Sequence, residues 1–132
     1  MNLIDKLAWI EIQDGKILST RSKGRTKYYF PGGKRELGES DFEALSREIN
    51  EELSISLIEA STQFLGIFQA QADSHPDGVQ VQMTCYTGSY TGTIAAASEI
   101  EEVVWLTYQD RDVVSPVDQI IFDWLKEQQL LR

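Results

Sequence analysis

The chain has 132 residues, of which 42% are hydrophobic and 25% charged, and its formal net charge is −9. This length fits one domain over residues 1–132, and the charge makes long nucleic acid an unfavourable partner. No apolar run approaches the roughly 20 residues that a membrane helix needs, so no membrane partner is expected. The single cysteine, Cys85, excludes an internal disulfide and suits a reducing cytoplasm, the predicted location.

The first predicted elements are strands. Residues 6–12 and 16–22 alternate loosely between apolar and polar, and the turn signal at Asp14 and Gly15 predicts a hairpin between them. Residues 28–30, which are all aromatic, predict a short strand that ends where Pro-Gly-Gly follows.

Residues 41–53 predict an amphipathic helix. Its apolar face consists of residues three or four apart, namely Phe42, Leu45, Ile49 and Leu53. Ser40 is a suitable N-cap, and Glu43 three residues later completes a capping box.

Strand signals return after this helix. Residues 63–72, 79–90 and 103–106 predict strands, and residues 118–130 predict a closing helix with one apolar side. The order of strands, helix, strands and helix argues for an α+β or mixed α/β fold with helices packed on a sheet.

Charge is distributed unevenly along the chain. Residues 21–35 carry six bases and no acid, whereas residues 36–59 carry eight acids and one base, Arg47. A basic loop that runs into an acidic helix is what a site for a metal-bound polyphosphate needs, although a solvated loop beside a solvated helix gives the same pattern.

Three acids of the predicted helix share one face. Glu48, Glu51 and Glu52 are spaced i, i+3 and i+4, and that face is centred about 120° from the apolar stripe. Their mutual repulsion would be relieved by a hard divalent cation such as Mg²⁺. Arg47 lies four residues from both Glu43 and Glu51 and is predicted to bridge them. Taken alone, a solvated charged face is the simpler interpretation.

The spacing before the helix completes a motif. Five residues separate Gly33 from Glu39, and seven separate Glu39 from REINEELSI at residues 47–55. This pattern closely resembles the Nudix box: Gly, five residues, Glu, seven residues, Arg-Glu, an aliphatic, any residue, Glu-Glu, any residue, Gly and an aliphatic. Residues 33–55 meet every fixed position except the last glycine, which is Ser54 here. A left-handed residue suits that position, so Ser54 puts the helix end in doubt.

The resemblance extends beyond the box. The sequence FPGGK at residues 30–34 resembles the family's lead-in, and the strand order is similar to a Nudix domain over nearly the whole chain. It implies an α/β/α sandwich with a mixed central sheet and helices on both faces. It also implies a MutT-like pyrophosphohydrolase that uses Mg²⁺, or Mn²⁺ as a substitute, to activate water against a phosphoanhydride bond. The expected substrate is a nucleoside diphosphate linked to another group.

Matched positions take roles from the same resemblance. The expected metal site comprises Glu48, Glu51, Glu52 and the backbone at Gly33. Arg47 would orient a glutamate, Glu39 would support the loop or bind metal through water, and Gly32 would let the backbone approach metal and phosphate. Glu52 and Glu51 are the strongest candidates among the metal ligands, and together with Arg47 they are expected to take part in catalysis.

Further candidates lie outside the box. The family often supplies one more carboxylate, as base or ligand, from a loop before a late tryptophan-containing strand; Glu99 is the first choice and Glu102 the second. Candidates for binding the substrate phosphates are Arg21, Lys23 and Lys34, and Tyr28 or Phe30 could stack on a base or pack in the core. His75 has no second His or Cys nearby, so a zinc site is not expected there.

Two other functions remain open from the sequence. One is a non-catalytic module that senses nucleotides, which the complete set of box glutamates disfavours. The other is an RNA 5′-end pyrophosphohydrolase, which the net charge of −9 disfavours. A homodimer is possible, and the sequence does not specify which nucleotide or derivative is cut.

Overall fold

A computed structural model describes residues 2–132, which form nine strands and two α-helices. The elements are β1 (Asn2–Trp9), β2 (Ile12–Gln13), β3 (Lys16–Ser22), β4 (Gly32–Lys34), α1 (Asp41–Leu53), β5 (Ser56–Leu57), β6 (Gln63–Gln71), β7 (Val79–Thr87), β8 (Tyr90–Thr91), β9 (Ile100–Leu106) and α2 (Pro116–Glu127). Short 3₁₀ helices cover Glu59–Ser61 and Tyr108–Val113. The predicted mixed α/β class is confirmed.

The strands form three sheets. The largest has the order β4-β1-β7-β6, with β1 parallel to β7 and the other neighbours antiparallel. A second, antiparallel sheet has the order β2-β3-β9, and β5 pairs with β8. The two hydrophobic cores of the molecule both include residues of the mixed four-stranded sheet.

Strand β1 separates two cores. Leu7 and Trp9 are fully buried in a cluster that includes apolar residues of α1, whereas Ala8 and Ile10 belong to a cluster that includes residues of α2. Because side chains alternate across a strand, the two helices pack on opposite faces of this sheet.

Helix α1 confirms its prediction over residues 41–53. Ser40 Oγ accepts from the Glu43 N–H at 3.1 Å, and the Ser40 N–H donates to Glu43 Oε1 at 2.8 Å, so the capping box forms. Ser54 ends the helix in the left-handed conformation, with φ 62 and ψ 27, and its N–H donates to the Asn50 carbonyl at 3.1 Å. The chain therefore keeps the helix end for which a glycine is suited, at a cost of roughly 1–2 kcal/mol for a side-chain-bearing residue.

The prediction of an aromatic strand at residues 28–30 is wrong. Tyr28 and Tyr29 make only isolated bridges, and the strand that pairs with β1 is Gly32–Lys34. A β-carbon on Gly32 would lie 2.0 Å from the Leu7 carbonyl oxygen, so the close approach of β4 to β1 depends on glycine.

Several element boundaries differ from the predictions. The first strand covers residues 2–9 rather than 6–12, and β9 begins three residues earlier than expected. Helix α2 begins at Pro116, since proline suits the first turn, and ends at Glu127. Among the helices that residues 2–132 form, none is long and apolar enough to cross a membrane.

Candidate active site

A cavity of about 390 Å³ lies beside β4, where the two sheets and both helices approach one another. Three carboxylates, Glu48, Glu52 and Glu99, line one part of it together with Gly33. Tyr29 and other residues of the 28–33 segment line a second part. The cavity thus joins an acidic region to an aromatic one, and its volume lies in the range of small-molecule sites.

Glu52 is the most buried of the box glutamates, with 7% of its surface exposed. Its Oε1 accepts from the Gly32 N–H at 3.0 Å, which joins α1 to β4. Burial raises the pKa of Glu52 to about 8 against the opposing effect of this hydrogen bond, and the charges of Glu48, Glu99 and Glu51 raise it further. Such a carboxyl group is stabilised in its charged form by a bound cation.

Glu48 lies next to Gly33. Its Oε1 accepts from Arg47 Nη1 at 2.8 Å, and burial raises its pKa although Arg47 opposes the rise. A β-carbon on Gly33 would lie 2.5 Å from Glu48 Cδ, so the glycine provides the space that the carboxyl group occupies.

Glu51 is placed differently from its two neighbours. Its side chain is 53% exposed and does not line the cavity, and its nearest cation is Arg47 at 3.8 Å. Of the three box glutamates, the fold brings Glu48 and Glu52 to the cavity and leaves Glu51 at its margin.

Arg47 connects the helix to the loop before it. Its Nε and Nη2 donate to the two carboxylate oxygens of Glu39 at 2.8 and 2.9 Å, and Nη2 also donates to the Lys34 carbonyl at 3.1 Å. This pairing lowers the pKa of Glu39 to about 2. The predicted bridge to Glu43 is not made, because the Glu43 side chain accepts from the helix N-terminus instead. Arg47 therefore orients Glu48 and the segment that carries Gly33.

The loop that carries Glu99 is attached to the C-terminal end of α1. The N–H groups of Ala95 and Ala97 donate to the Leu53 and Glu52 carbonyls at 3.0 and 2.9 Å. Ser98 Oγ donates to the Glu51 carbonyl at 3.2 Å. These bonds satisfy carbonyl groups that have no partner within the helix. Glu99 is thereby held at the same cavity as the helix glutamates.

Three other predicted site residues bond to one another outside the cavity. Arg21 donates to Glu102 and Glu101 at 3.0 Å each, and the Tyr28 hydroxyl also donates to Glu102. None of these side chains lines the cavity, and neither does Lys23, whereas Lys34 does. A role in substrate binding for Arg21, Lys23 or Tyr28 stays a prediction that this geometry does not favour.

Two residues at or beside the cavity, Lys6 and Asp118, were not predicted from the sequence. Lys6 lines the cavity, and burial lowers its pKa against the raising effect of Asp118. Asp118 is fully buried at the start of α2, where its Oδ2 accepts from the Phe30 N–H at 2.9 Å and burial raises its pKa to about 7. The available signal for Lys6 was its position two residues from both Ile4 and Ala8, because this spacing places all three side chains on the same face of a strand.

A comparison with protein families identifies the chain. The family model described as NUDIX domain matches residues 7–126, which include the box, the Glu99 loop and most of α2. The chain belongs to the Nudix family. Nudix hydrolases act on small nucleotide-type substrates and typically depend on a divalent metal ion.

Known relatives agree with this assignment. The chain is 29% identical over 118 residues to the "Uncharacterized Nudix hydrolase YvcI" of Bacillus subtilis (strain 168), covering 88% of this chain and 75% of that protein. The solution structure of the E. coli ORF135 protein superposes with a TM-score of 0.76 at 26% identity, covering 98% of this chain and 92% of that one. The MutT protein from Methanosarcina mazei Go1 has the same TM-score at 19% identity, over 97% and 96%, and supports the fold.

The acidic region of this Nudix domain has the donors that a hard cation prefers. Within residues 2–132, no three acidic, histidine or cysteine side chains lie close enough to form a ready metal cage. The hydrogen bonds of Glu48 and Glu52 use Oε1 of each, so Oε2 of each is available to a cation. Oxygen donors in this setting fit Mg²⁺ or Mn²⁺.

Proposed function

We propose that this Nudix hydrolase cuts a phosphoanhydride bond in a nucleoside diphosphate linked to another group, with Mg²⁺ as its metal. The observation that carries the proposal is the convergence of Glu48, Glu52 and Glu99 on one cavity, although 46 residues lie between Glu52 and Glu99 along the chain. The charges of Glu48 and Glu99 raise the pKa of Glu52, and a divalent cation bound among these carboxylates would relieve their repulsion.

Each residue of the acidic region has a separate proposed role. Glu48 and Glu52 would hold the metal, with Glu51 at the margin and the backbone at Gly33 close by. When bound, Mg²⁺ neutralises phosphate charge and lowers the pKa of water. Arg47 keeps Glu48 in place by its hydrogen bond at 2.8 Å. The adjacent Lys34, which is exposed at the cavity, would bind a phosphate oxygen.

Glu99 is the side chain that we propose as the proton acceptor for the attacking water. It is exposed at the cavity, and no hydrogen bond or ion pair of its side chain is formed with residues 2–132. Glu102, the other candidate, is bonded to Arg21 and Tyr28 and does not line the cavity. A carboxylate already occupied by two donors is a poorer base, since those bonds lower its pKa.

A nucleotide panel with Mg²⁺ tests the proposal, with release of phosphate or pyrophosphate as the readout. We expect turnover that EDTA abolishes and that Mn²⁺ restores. Glu52→Gln and Glu48→Gln should each lower kcat by at least about 100-fold, because loss of a direct ligand exceeds the usual effect of its supporting residues. Glu43→Gln is the matched control: it lies on the same helix, and glutamine retains the capping box.

Three results would contradict the proposal. Turnover that EDTA leaves unchanged would exclude the metal mechanism. Full activity in both Glu48→Gln and Glu52→Gln would exclude these ligands. Tight nucleotide binding without turnover under Mg²⁺ or Mn²⁺ would instead identify a sensing module.

A further inference from the structure

The floor of the cavity is formed by neighbouring strands of the four-stranded sheet. Ile4 and Lys6 of β1 stand opposite Val81 and Met83 of β7 in the parallel register, and all four line the cavity. They lie on the face opposite Leu7, which packs in the core of α1. This floor is therefore apolar except for a single lysine.

The ammonium group of Lys6 lies over the ring of Tyr29 in a cation–π contact and has no hydrogen-bond acceptor in the part of the chain that the structure describes. It makes no ion pair and no side-chain hydrogen bond with residues 2–132, and its Nζ lies 5.9 Å from the centre of the Tyr29 ring. Asp118 is close enough to influence Lys6 but is fully buried and does not line the cavity. A half-buried ammonium group without a hydrogen-bond acceptor carries a desolvation cost that a ligand can relieve.

The other cations of the cavity are placed differently. Lys34 and Arg25 are exposed to solvent, and Arg25 Nη1 donates to Ser74 Oγ at 3.3 Å. They are suited to charged groups at the rim. Lys6 lies on the apolar floor with its Nζ over the ring of Tyr29, and Phe30 also lines the cavity, so a flat and largely apolar group fits there.

We infer that Lys6 donates a hydrogen bond to a ring carbonyl of the substrate's base, so that the enzyme prefers bases with a keto group over those with an amino group at that position. The inference rests on the proposed function, which places the diphosphate at the carboxylates and the attached base farther along the cavity. A lysine ammonium offers three donors and no acceptor. A carbonyl oxygen satisfies it, whereas an amino group would oppose donor to donor in a poorly solvated place.

Two pairs of nucleotides test this interaction. ITP and ATP carry a keto group and an amino group at the same purine position, and UTP and CTP differ likewise in the pyrimidine ring; in both pairs the adjacent ring nitrogen is an N–H donor in the keto member and an acceptor in the amino member. We expect kcat/KM to favour the keto member by about 10- to 100-fold in at least one pair, since a site built around a hydrogen bond rejects the analogue that lacks it. The same order should appear in calorimetric affinities for the monophosphates IMP and AMP, or UMP and CMP, measured without metal.

Variants of Lys6 provide the decisive comparison. Lys6→Met should reduce the keto preference to near unity and leave the amino member little changed, while Lys6→Arg, which also only donates, should retain a preference. Lys34→Met is the matched control, because Lys34 stands opposite Lys6 in the β1–β4 pairing. Lys34→Met should lower kcat/KM for both members of each pair alike. If Lys6→Met does not fold, Lys6→Gln and Lys6→Arg allow the same comparison.

Each outcome has a separate meaning. Equal use of both members in both pairs, or an equal loss for both members in Lys6→Met, would overturn the inference and leave the proposed hydrolysis intact. The equal loss would point to a contact with phosphate or sugar. Failure to turn over any nucleotide with Mg²⁺ or Mn²⁺ would overturn the proposed function and this inference together.

Discussion

Gly33 and the carboxyl group of Glu48 are so close that a β-carbon on residue 33 would lie 2.5 Å from Glu48 Cδ and 2.6 Å from its Oε2. Gly33 does not have a left-handed backbone, so space alone requires glycine here. The contact places the start of β4 directly against the carboxylate of α1. Substitution at residue 33 therefore reports on the position of Glu48.

Gly33→Ala should lower activity by about tenfold or more and raise the Mg²⁺ concentration needed for half-maximal rate. The added methyl group must displace the Glu48 carboxylate, and small displacements of reacting or ligating groups have large effects on rate. A magnesium titration of the rate measures both quantities. Gly38→Ala is the control, because its β-carbon meets no atom within 4 Å although its φ is +86. An unchanged magnesium dependence in Gly33→Ala would contradict the prediction.

Ser54→Gly should stabilise the protein by about 1 kcal/mol. Ser54 occupies the left-handed region, with φ 62, where a residue with a β-carbon is disfavoured and glycine is not. The gain is reduced by the larger entropy that glycine has in the unfolded chain. Urea denaturation measures the free energy of unfolding. Ser56→Gly in the exposed part of β5 is the control and should destabilise, since an extended residue gains nothing from glycine. Equal effects of the two substitutions would refute the account of the helix end.

Arg47→Lys should reduce activity by about tenfold and also lower stability. Lysine cannot reproduce the two-nitrogen contact with Glu39 while also reaching Glu48 and the Lys34 carbonyl. Rates and thermal denaturation are measured together. Arg111→Lys is the matched control, since Arg111 makes a similar two-nitrogen contact with Asp123, away from the cavity. It should lower stability and leave kcat unchanged; a comparable loss of kcat in both variants would show that the effect is not specific to the site.

Asp118→Asn should flatten the pH dependence of stability. The pKa of Asp118 is raised from 3.8 to about 7 in the folded protein, chiefly by burial. The folded state then binds a proton more tightly than the unfolded state, so this group's contribution is complete below about pH 4 and is lost as the pH rises to about 7. The Asp118→Asn substitution should therefore raise the free energy of unfolding at pH 8, relative to that at pH 4.5, by a few kcal/mol.

Urea denaturation in EDTA at pH 4.5, 6 and 8 measures this effect. Asparagine retains an oxygen that can accept from the Phe30 N–H, so the bond at 2.9 Å is preserved. Asp123→Asn on the same helix is the control with the opposite sign, because Arg111 lowers the pKa of Asp123 and its contribution is lost as the pH falls. A wild-type slope that Asp118→Asn leaves unaltered would rule out a raised pKa at residue 118.

The sequence by itself determined the local features of this protein. The helix over residues 41–53, its capping box and the common face of its glutamates depend on interactions within four residues, which spacing along the chain expresses directly. The box motif likewise identified the family, because its residues lie within one short segment. The predicted mixed fold followed from the order of these elements.

Only the tertiary structure decided which side chains meet at the cavity. Glu102 is withdrawn from it by donors on Arg21 and Tyr28, which are 81 and 74 residues away in sequence. Lys6 lines the cavity because β1 pairs in parallel with β7. The loop that carries Glu99 is hydrogen-bonded to the C-terminal end of α1 and places Glu99 at the same cavity. The physical reason is that strand pairing and long-range hydrogen bonds join segments that are distant in sequence. A local pattern of residues does not predict which of these segments will lie side by side.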